Sequence, residues 1–154
     1  MKNKLYVLVG VPGSGKTTWV EEQSWANDCA YISTDKHITD FAESENKTYN
    51  EVFDSYMKTA IDLMTQDVIS AREAGKDIIW DQTSTTVKSR ARKFRMLPDY
   101  YAIAVVFLTP EKEELDRRLN SRPGKNIPQR VMHQMIGYWQ DPTIEEGFKE
   151  IWNI

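Results

Sequence analysis

Residues Gly10 to Thr17 read Gly-Val-Pro-Gly-Ser-Gly-Lys-Thr and match G-x-x-x-x-G-K-[ST] at every fixed position. Each residue type has a physical reason. Gly10, Gly13 and Gly15 let the backbone turn so that successive N–H groups point into one concavity. Pro12, Ser14 and Thr18 complete the stretch expected to surround the phosphates of ATP. Lys16 brings positive charge to the β- and γ-phosphates, and the Thr17 hydroxyl is the expected Mg²⁺ ligand. A helix opening at Lys16 would direct its positive dipole end to the same place.

Holding phosphate is not yet a reaction. A guanine-reading switch would carry N-K-x-D, but Asn3-Lys4 is followed by Leu5-Tyr6 and Asn46-Lys47 by Thr48-Tyr49. Phosphoryl transfer needs a carboxylate to take the acceptor's proton and cations to meet the moving charge. Asp35 follows a candidate strand, where an acceptor hydroxyl could meet a γ-phosphate. Asp81 ends another strand, a position that in phosphate-loop proteins often lies near the metal or the acceptor. Arg118 and Arg122 are four apart and share a helix face, whereas Arg117 points elsewhere. They lead into Pro123-Gly124, so residues 117–128 read as a hinged, arginine-bearing lid.

These residues need elements to position them. The apolar run Leu5–Val9 predicts a buried parallel strand, followed by a helix from Lys16 to about Ala26. Cys29–Ser33, Asp77–Asp81 and Tyr101–Leu108 are the other strands. Between the second and third lies a polar stretch, residues 34–47, and then a helix opened by the Thr48-x-x-Glu51 capping box. Val52, Tyr56, Ala60, Leu63, Met64 and Ala71 form its stripe, and Gly75 stops it. A helix starting at Thr83 to Thr86 carries Val87, Ala91 and Phe94 as its buried stripe and ends at Pro98. Thr109-Pro110 begins a helix with Glu111, Glu113 and Glu114 in its first turns. Gln129 to Trp139 is the last helix, before a short tail. Alternating strands and helices predict an α/β three-layer sandwich with a parallel sheet of about four to five strands. Ligands in such sheets bind beyond the carboxyl ends of the strands, at Gly10, Ser33 to Asp35, Asp81 and Thr109.

The 154 residues suffice for one domain, with 40% hydrophobic and 28% charged residues. The longest apolar run is too short to cross a bilayer, and no signal-peptide core follows Met1. A lone cysteine, Cys29, excludes an internal disulfide, and His37 and His133 lack partners at zinc-binding spacing. A cytoplasmic setting without membrane contact is expected. The net charge of −3 offers no global attraction to nucleic acid. Locally, Gln82 to Pro98 has no acidic residue, and Lys88, Arg92 and Arg95 share a helix face opposite the apolar stripe. Cations there could follow a DNA backbone on the acceptor side of Asp81. Tyr49, Phe53 and Tyr56 could stack a base if their helix start faces the site.

The chain resembles the small P-loop kinases typified by the kinase domain of bacteriophage polynucleotide kinase. The resemblance rests on G-x-PGSGK-[ST]-[ST]-W at Gly10 to Trp19, the strand-following Asp35, the strand-end Asp81, and L-x-x-R-x-x-x-R…[VI]-P at Leu115 to Pro128. It implies ATP as donor, Asp35 as general base, Asp81 on the acceptor side, and Arg118 and Arg122 on the phosphates. One position departs from the pattern. Polynucleotide kinases carry an arginine three residues after the base, and here that residue is Ile38. A related phage group phosphorylates the hydroxymethyl group of 5-hydroxymethyluracil within DNA. The expected acceptor is therefore a DNA hydroxyl, at a base or at a 5′ end. A small-metabolite or nucleoside kinase is one alternative, and a non-catalytic nucleotide-dependent module another.

Overall fold

The computed structural model describes residues 2–154. Five parallel strands form one sheet: β1 (Lys4–Val9), β2 (Ala30–Ile32), β3 (Ile78–Asp81), β4 (Tyr101–Val106) and β5 (Glu150–Asn153). Their spatial order is β2-β3-β1-β4-β5. Strand β1 thus sits between β3 and β4; the chain leaving β1 runs toward the β2 edge, and the chain leaving β4 runs to the opposite edge. The crevice for a ligand opens at such a reversal, beyond the carboxyl end of β1. Helices α1 (Lys16–Glu22), α2 (Thr34–Ser44), α3 (Tyr49–Glu73), α4 (Val87–Met96), α5 (Lys112–Asn120) and α6 (Gln129–Gly137) complete the fold.

Strands buried on both faces read as continuous apolar runs, as β1 does. On one face Leu5, Val7, Ile78, Trp80 and Ala104 pack under Met64, Val68 and Ala71 of α3. On the other, Tyr6, Leu8, Ile79 and Val105 meet Trp19, Val20 and Trp25. A third cluster, Val11, Leu115, Leu119 and Met132, packs α5 and α6 beneath the phosphate loop. Among the described residues no helix is long and apolar enough to cross a membrane.

Several elements differ from expectation. Helix α1 ends at Glu22, because Gln23 turns extended (ψ 115°) and a 3₁₀ turn follows over Ser24–Asp28. The polar stretch 34–47 contains α2. Its Ser33 side chain accepts from the Lys36 N–H, and Ile38 and Ala42 are buried against Val52 and Ala60 of α3. Helix α5 starts at Lys112 with Glu111 at its N-cap, so Thr109-Pro110 lies outside it. The tail holds the edge strand β5. In α3 the stripe is Val52, Ala60, Met64, Val68 and Ala71, while Leu63 is exposed.

The largest difference is in α4. Val87 is exposed, and the fully enclosed side chains are Arg90 and Lys93. Arg90 donates to Glu146 through Nε (2.7 Å) and to the Ser84 carbonyl through Nη1 (2.8 Å). Lys93 has no carboxylate among its contacts. Its Nζ lies 5.0 Å from the Trp80 ring centre and donates to the Ser89 carbonyl. Burial, helped by Arg92 and Arg90, lowers its pKa to about 8. Between that value and about 10.4 the unfolded chain holds a proton that the folded chain does not. Stability therefore rises with pH across this window and is lost as pH falls back to about 8. Lys93→Met is expected to stabilise the fold at pH 7 by roughly 3 kcal/mol. The difference between variant and wild type in urea unfolding should shrink as pH rises to 10.

Candidate active site

Strand β1 ends at Val9, and the backbone then turns through Gly13 (φ 84°) and Gly15 (φ 97°) into α1. A Cβ at Gly13 would also press on Leu115 and Leu119, at 3.0 and 3.3 Å. Freedom of φ and close packing thus both require glycine there. The Gly10 N–H donates to the Thr83 carbonyl (3.0 Å), tying the loop to the segment after β3. Lys16 curls back, its Nζ donating to the carbonyls of Gly10 (2.8 Å) and Val11 (3.0 Å). Burial lowers its pKa to about 8, against the pull of Asp81 and Asp35. The Ser14 hydroxyl is buried without a hydrogen-bond partner among the described residues. An enclosed ammonium held only by carbonyls and an unpartnered hydroxyl both suit an anionic ligand.

Asp81 lies at the end of β3, and its Oδ2 accepts from the Tyr31 hydroxyl and from Thr17 Oγ1 (3.4 Å). Burial pushes its pKa up, while Tyr31, Lys16 and Thr17 act the other way. A hydroxyl and a carboxylate side by side next to a phosphate loop form a hard-oxygen donor pair. That pair fits Mg²⁺, which takes one or two protein oxygens and completes its shell with phosphate and water. Among the described residues no cluster of three or more His, Cys, Asp or Glu could hold a metal unaided.

Asp35 stands in the first turn of α2, its side chain 56% exposed. It accepts from the Tyr49 hydroxyl (2.6 Å) and from Lys125 Nζ (3.0 Å). Desolvation by the cavity walls would raise its pKa. Lys125, Tyr49 and Lys16 outweigh that and hold the carboxyl below its usual range. It is therefore ionised at neutral pH and able to accept a proton.

Arg118 reaches across from α5. Its Nη1 donates to the Gly13 carbonyl (2.9 Å) and its Nε to Glu114 (2.8 Å). Beyond α5 the chain folds onto the start of α3. The Asn50 N–H donates to the Gly124 carbonyl (2.9 Å), and the Asn126 N–H to Asn50 Oδ1 (3.2 Å). Lys125 lies 4.4 Å from the Tyr49 ring centre. The 121–128 segment is thus latched to α3 and, through Lys125, to Asp35. Gly124 (φ 68°) makes the latch possible, since a Cβ there would lie 2.6 Å from Thr48 Cβ. Gly124→Ala should lift the segment, because the left-handed backbone alone costs about 1–2 kcal/mol. Limited trypsin digestion should then cut after Lys125 about tenfold faster, with thermal stability little changed.

One cavity of about 1460 Å³ joins these parts. That exceeds a typical single-ligand pocket and leaves room for a second substrate. Residues Pro12 to Thr18, Asp35, Asp81, Arg118 and Arg122 all line it. Gly10 shapes the loop from behind. Lys88, Arg92 and Arg95 are exposed on α4, but they are not among the lining residues. The start of α3 does face the site. Tyr49 and Phe53 line the cavity, whereas Tyr56 stacks on Phe41 with ring centres 3.9 Å apart. Tyr31, Lys125 and Asn50 were not anticipated. Only the basic character of the lid hinted at Lys125, since its partners lie 76 and 90 residues away.

The chain is 24% identical over 153 residues to the bifunctional polynucleotide phosphatase/kinase of Schizosaccharomyces pombe, covering 96% of this chain and 32% of that protein. It thus spans about a third of that relative's length. In fold it is similar to a candidate kinase from Chloroflexus aurantiacus (TM-score 0.75, 15% identity, 100% of this chain and 88% of that one). It is also similar to a chain of the Pnkp1/Rnl/Hen1 RNA repair complex (TM-score 0.68, 22% identity, 89% of this chain and 44% of that one). Residues 5–142 match the family described as AAA domain, and with most of its length inside that match the chain belongs to this family.

Proposed function

We propose that the protein is an ATP-dependent kinase that phosphorylates a hydroxyl on DNA. The acceptor is the hydroxymethyl group of 5-hydroxymethyluracil in phage DNA or a polynucleotide 5′-hydroxyl. One observation carries the reading: the ionised Asp35 shares a cavity with Lys16, so a proton acceptor faces a phosphate-holding cation. The polynucleotide phosphatase/kinase among the relatives supports the polymer as acceptor.

Bound ATP supplies the phosphoryl group, and Mg²⁺ neutralises its charge. Lys16 exchanges its two carbonyls for phosphate oxygens, and the Ser14 hydroxyl gains a partner. Thr17 would hold the ion together with Asp81, which the sequence reading puts on the acceptor side and whose Oδ2 accepts from the Thr17 hydroxyl. Arg118 and Arg122 bring cations from the lid to the moving charge. Asp35 accepts the acceptor's proton as the new O–P bond forms and the bond to the leaving ADP breaks. Ile38, where polynucleotide kinases carry arginine, is buried between α2 and α3 and offers the acceptor no charge. That favours a grip on the acceptor other than through a phosphate at this position.

A free nucleoside or small polyol is the second reading. Asp40 and Asp54 line the acceptor end of the cavity, and carboxylates suit clustered hydroxyls. γ-Labelled ATP should be offered to 5′-hydroxyl DNA, to end-blocked DNA containing 5-hydroxymethyluracil, and to free nucleosides. Label in either DNA is the expected result, and label only in nucleosides would replace the proposal with the second reading.

A further inference from the structure

We infer that the acceptor nucleotide is held through its base, by stacking on the ring of Phe53. The inference rests on the nucleic-acid reading above and names how that substrate is recognised. Phe53 is a large apolar side chain on α3 that stays 36% exposed and lines the same cavity as Asp35. Its neighbour Tyr49 is tilted 42° against it at 5.5 Å. Tyr49 is already engaged, with its hydroxyl on Asp35 and its face under Lys125. Phe53 is therefore the ring of this pair left open to the cavity.

The charges around it select the kind of group that can sit there. Lys16, Arg118 and Arg122 lie on the loop-and-lid side of the cavity. The α2–α3 end carries Asp40 and Asp54, with Lys36 as a cation and Lys125 already paired with Asp35. Two carboxylates beside an aromatic ring disfavour a phosphodiester. They suit a neutral, planar group whose edge carries N–H donors, which describes a nucleobase. The buried Ile38 offers no phosphate grip at its position. A base lying on Phe53 would place its own hydroxyl-bearing carbon, or its sugar, toward Asp35 of α2, which accepts from the hydroxyl of Tyr49 one helical turn back along α3. Stacking also requires the base to be unpaired on that face.

The test pairs a change in the protein with a change in the base. Single-stranded oligonucleotides are prepared with the same acceptor hydroxyl on a planar base or on its saturated 5,6-dihydro counterpart. For the wild type, acceptor KM should be roughly ten- to hundredfold lower with the planar base. Phe53→Leu should raise KM for the planar base by that factor and leave the dihydro base little changed. Phe53→Trp should restore the preference, and KM for ATP should stay constant throughout. Equal use of both bases by the wild type, or an equal loss on both in Phe53→Leu, would overturn the stacking inference alone. Failure to label either strand would overturn the nucleic-acid reading, and this inference with it.

Discussion

Replacing Asp35 with Asn is expected to lower phosphoryl transfer by about 10²–10⁴-fold, the range for loss of a general base. ATP affinity should stay within about twofold of wild type. The separation follows from placement. Lys16, Ser14 and Thr17, which would hold the nucleotide, sit on the loop between β1 and α1, while Asp35 sits on α2 across the cavity. Asn keeps the size of the side chain and can still accept from Tyr49. It cannot take a proton, and it leaves Lys125 without its counter-ion. Trypsin digestion after Lys125 separates the two consequences. If transfer falls while digestion is unchanged, the lost group is the proton acceptor. If ATP binding falls with transfer, Asp35 is an architectural residue. Titration of single-turnover rates and of equilibrium ATP binding on the same samples decides between these outcomes.

The second large effect is expected at Asp81. Asp81→Asn should lower kcat/KM by about 10²–10³-fold, the usual loss for one preorganised electrostatic contact. Most of that loss should be recovered by raising Mg²⁺. Asp81 is the carboxylate beside the Thr17 hydroxyl, buried at the end of β3 and without an ion pair among the described residues. Its remaining partner is the Tyr31 hydroxyl, a neutral donor. Tyr31→Phe removes that donor and leaves the carboxylate, so it should cost about tenfold, the lower end for loss of a group that orients a metal ligand. Measuring the Mg²⁺ concentration for half-maximal rate in the two variants checks the assignment. A loss in Asp81→Asn that is independent of Mg²⁺ would move Asp81 to the acceptor side.

The phosphate loop was legible because its chemistry is local. Gly10 to Thr17 contains the turn, the cation and the hydroxyl within eight residues, and a strand and a helix flank it as expected. The parallel sheet was legible because β1 and β4 are apolar on both faces. Strand β5 was not, since its only apolar residues are Ile151 and Trp152, between the polar Glu150 and Asn153 at the sheet edge. Helix α2 hides for a similar reason. Its buried residues are only Thr34, Ile38 and Ala42, and apart from Phe41 the rest of the run is polar.

Helix α4 shows a deeper limit. Pattern reading sends cations outward, but Arg90 is held inside by Glu146, 56 residues later, and Lys93 by Trp80 in the sheet. Neither partner is visible from the helix itself. The stripe therefore shifts, and Val87 is left exposed. The same distance hides the Asp35–Tyr49–Lys125 link, whose members are 14 and 90 residues from the aspartate. Asp35 could be singled out from its place after a strand, but the residues that keep it ionised could not.

We propose that this cavity moves a phosphoryl group to a nucleic-acid hydroxyl rather than to water. The most direct measurement is the fate of label from γ-labelled ATP with and without single-stranded DNA bearing a 5′-hydroxyl or 5-hydroxymethyluracil. Label in the polymer and little free phosphate in either case are expected, with Asp35→Asn abolishing the polymer signal. Equal release of free phosphate with and without DNA, and none in the polymer, would contradict it.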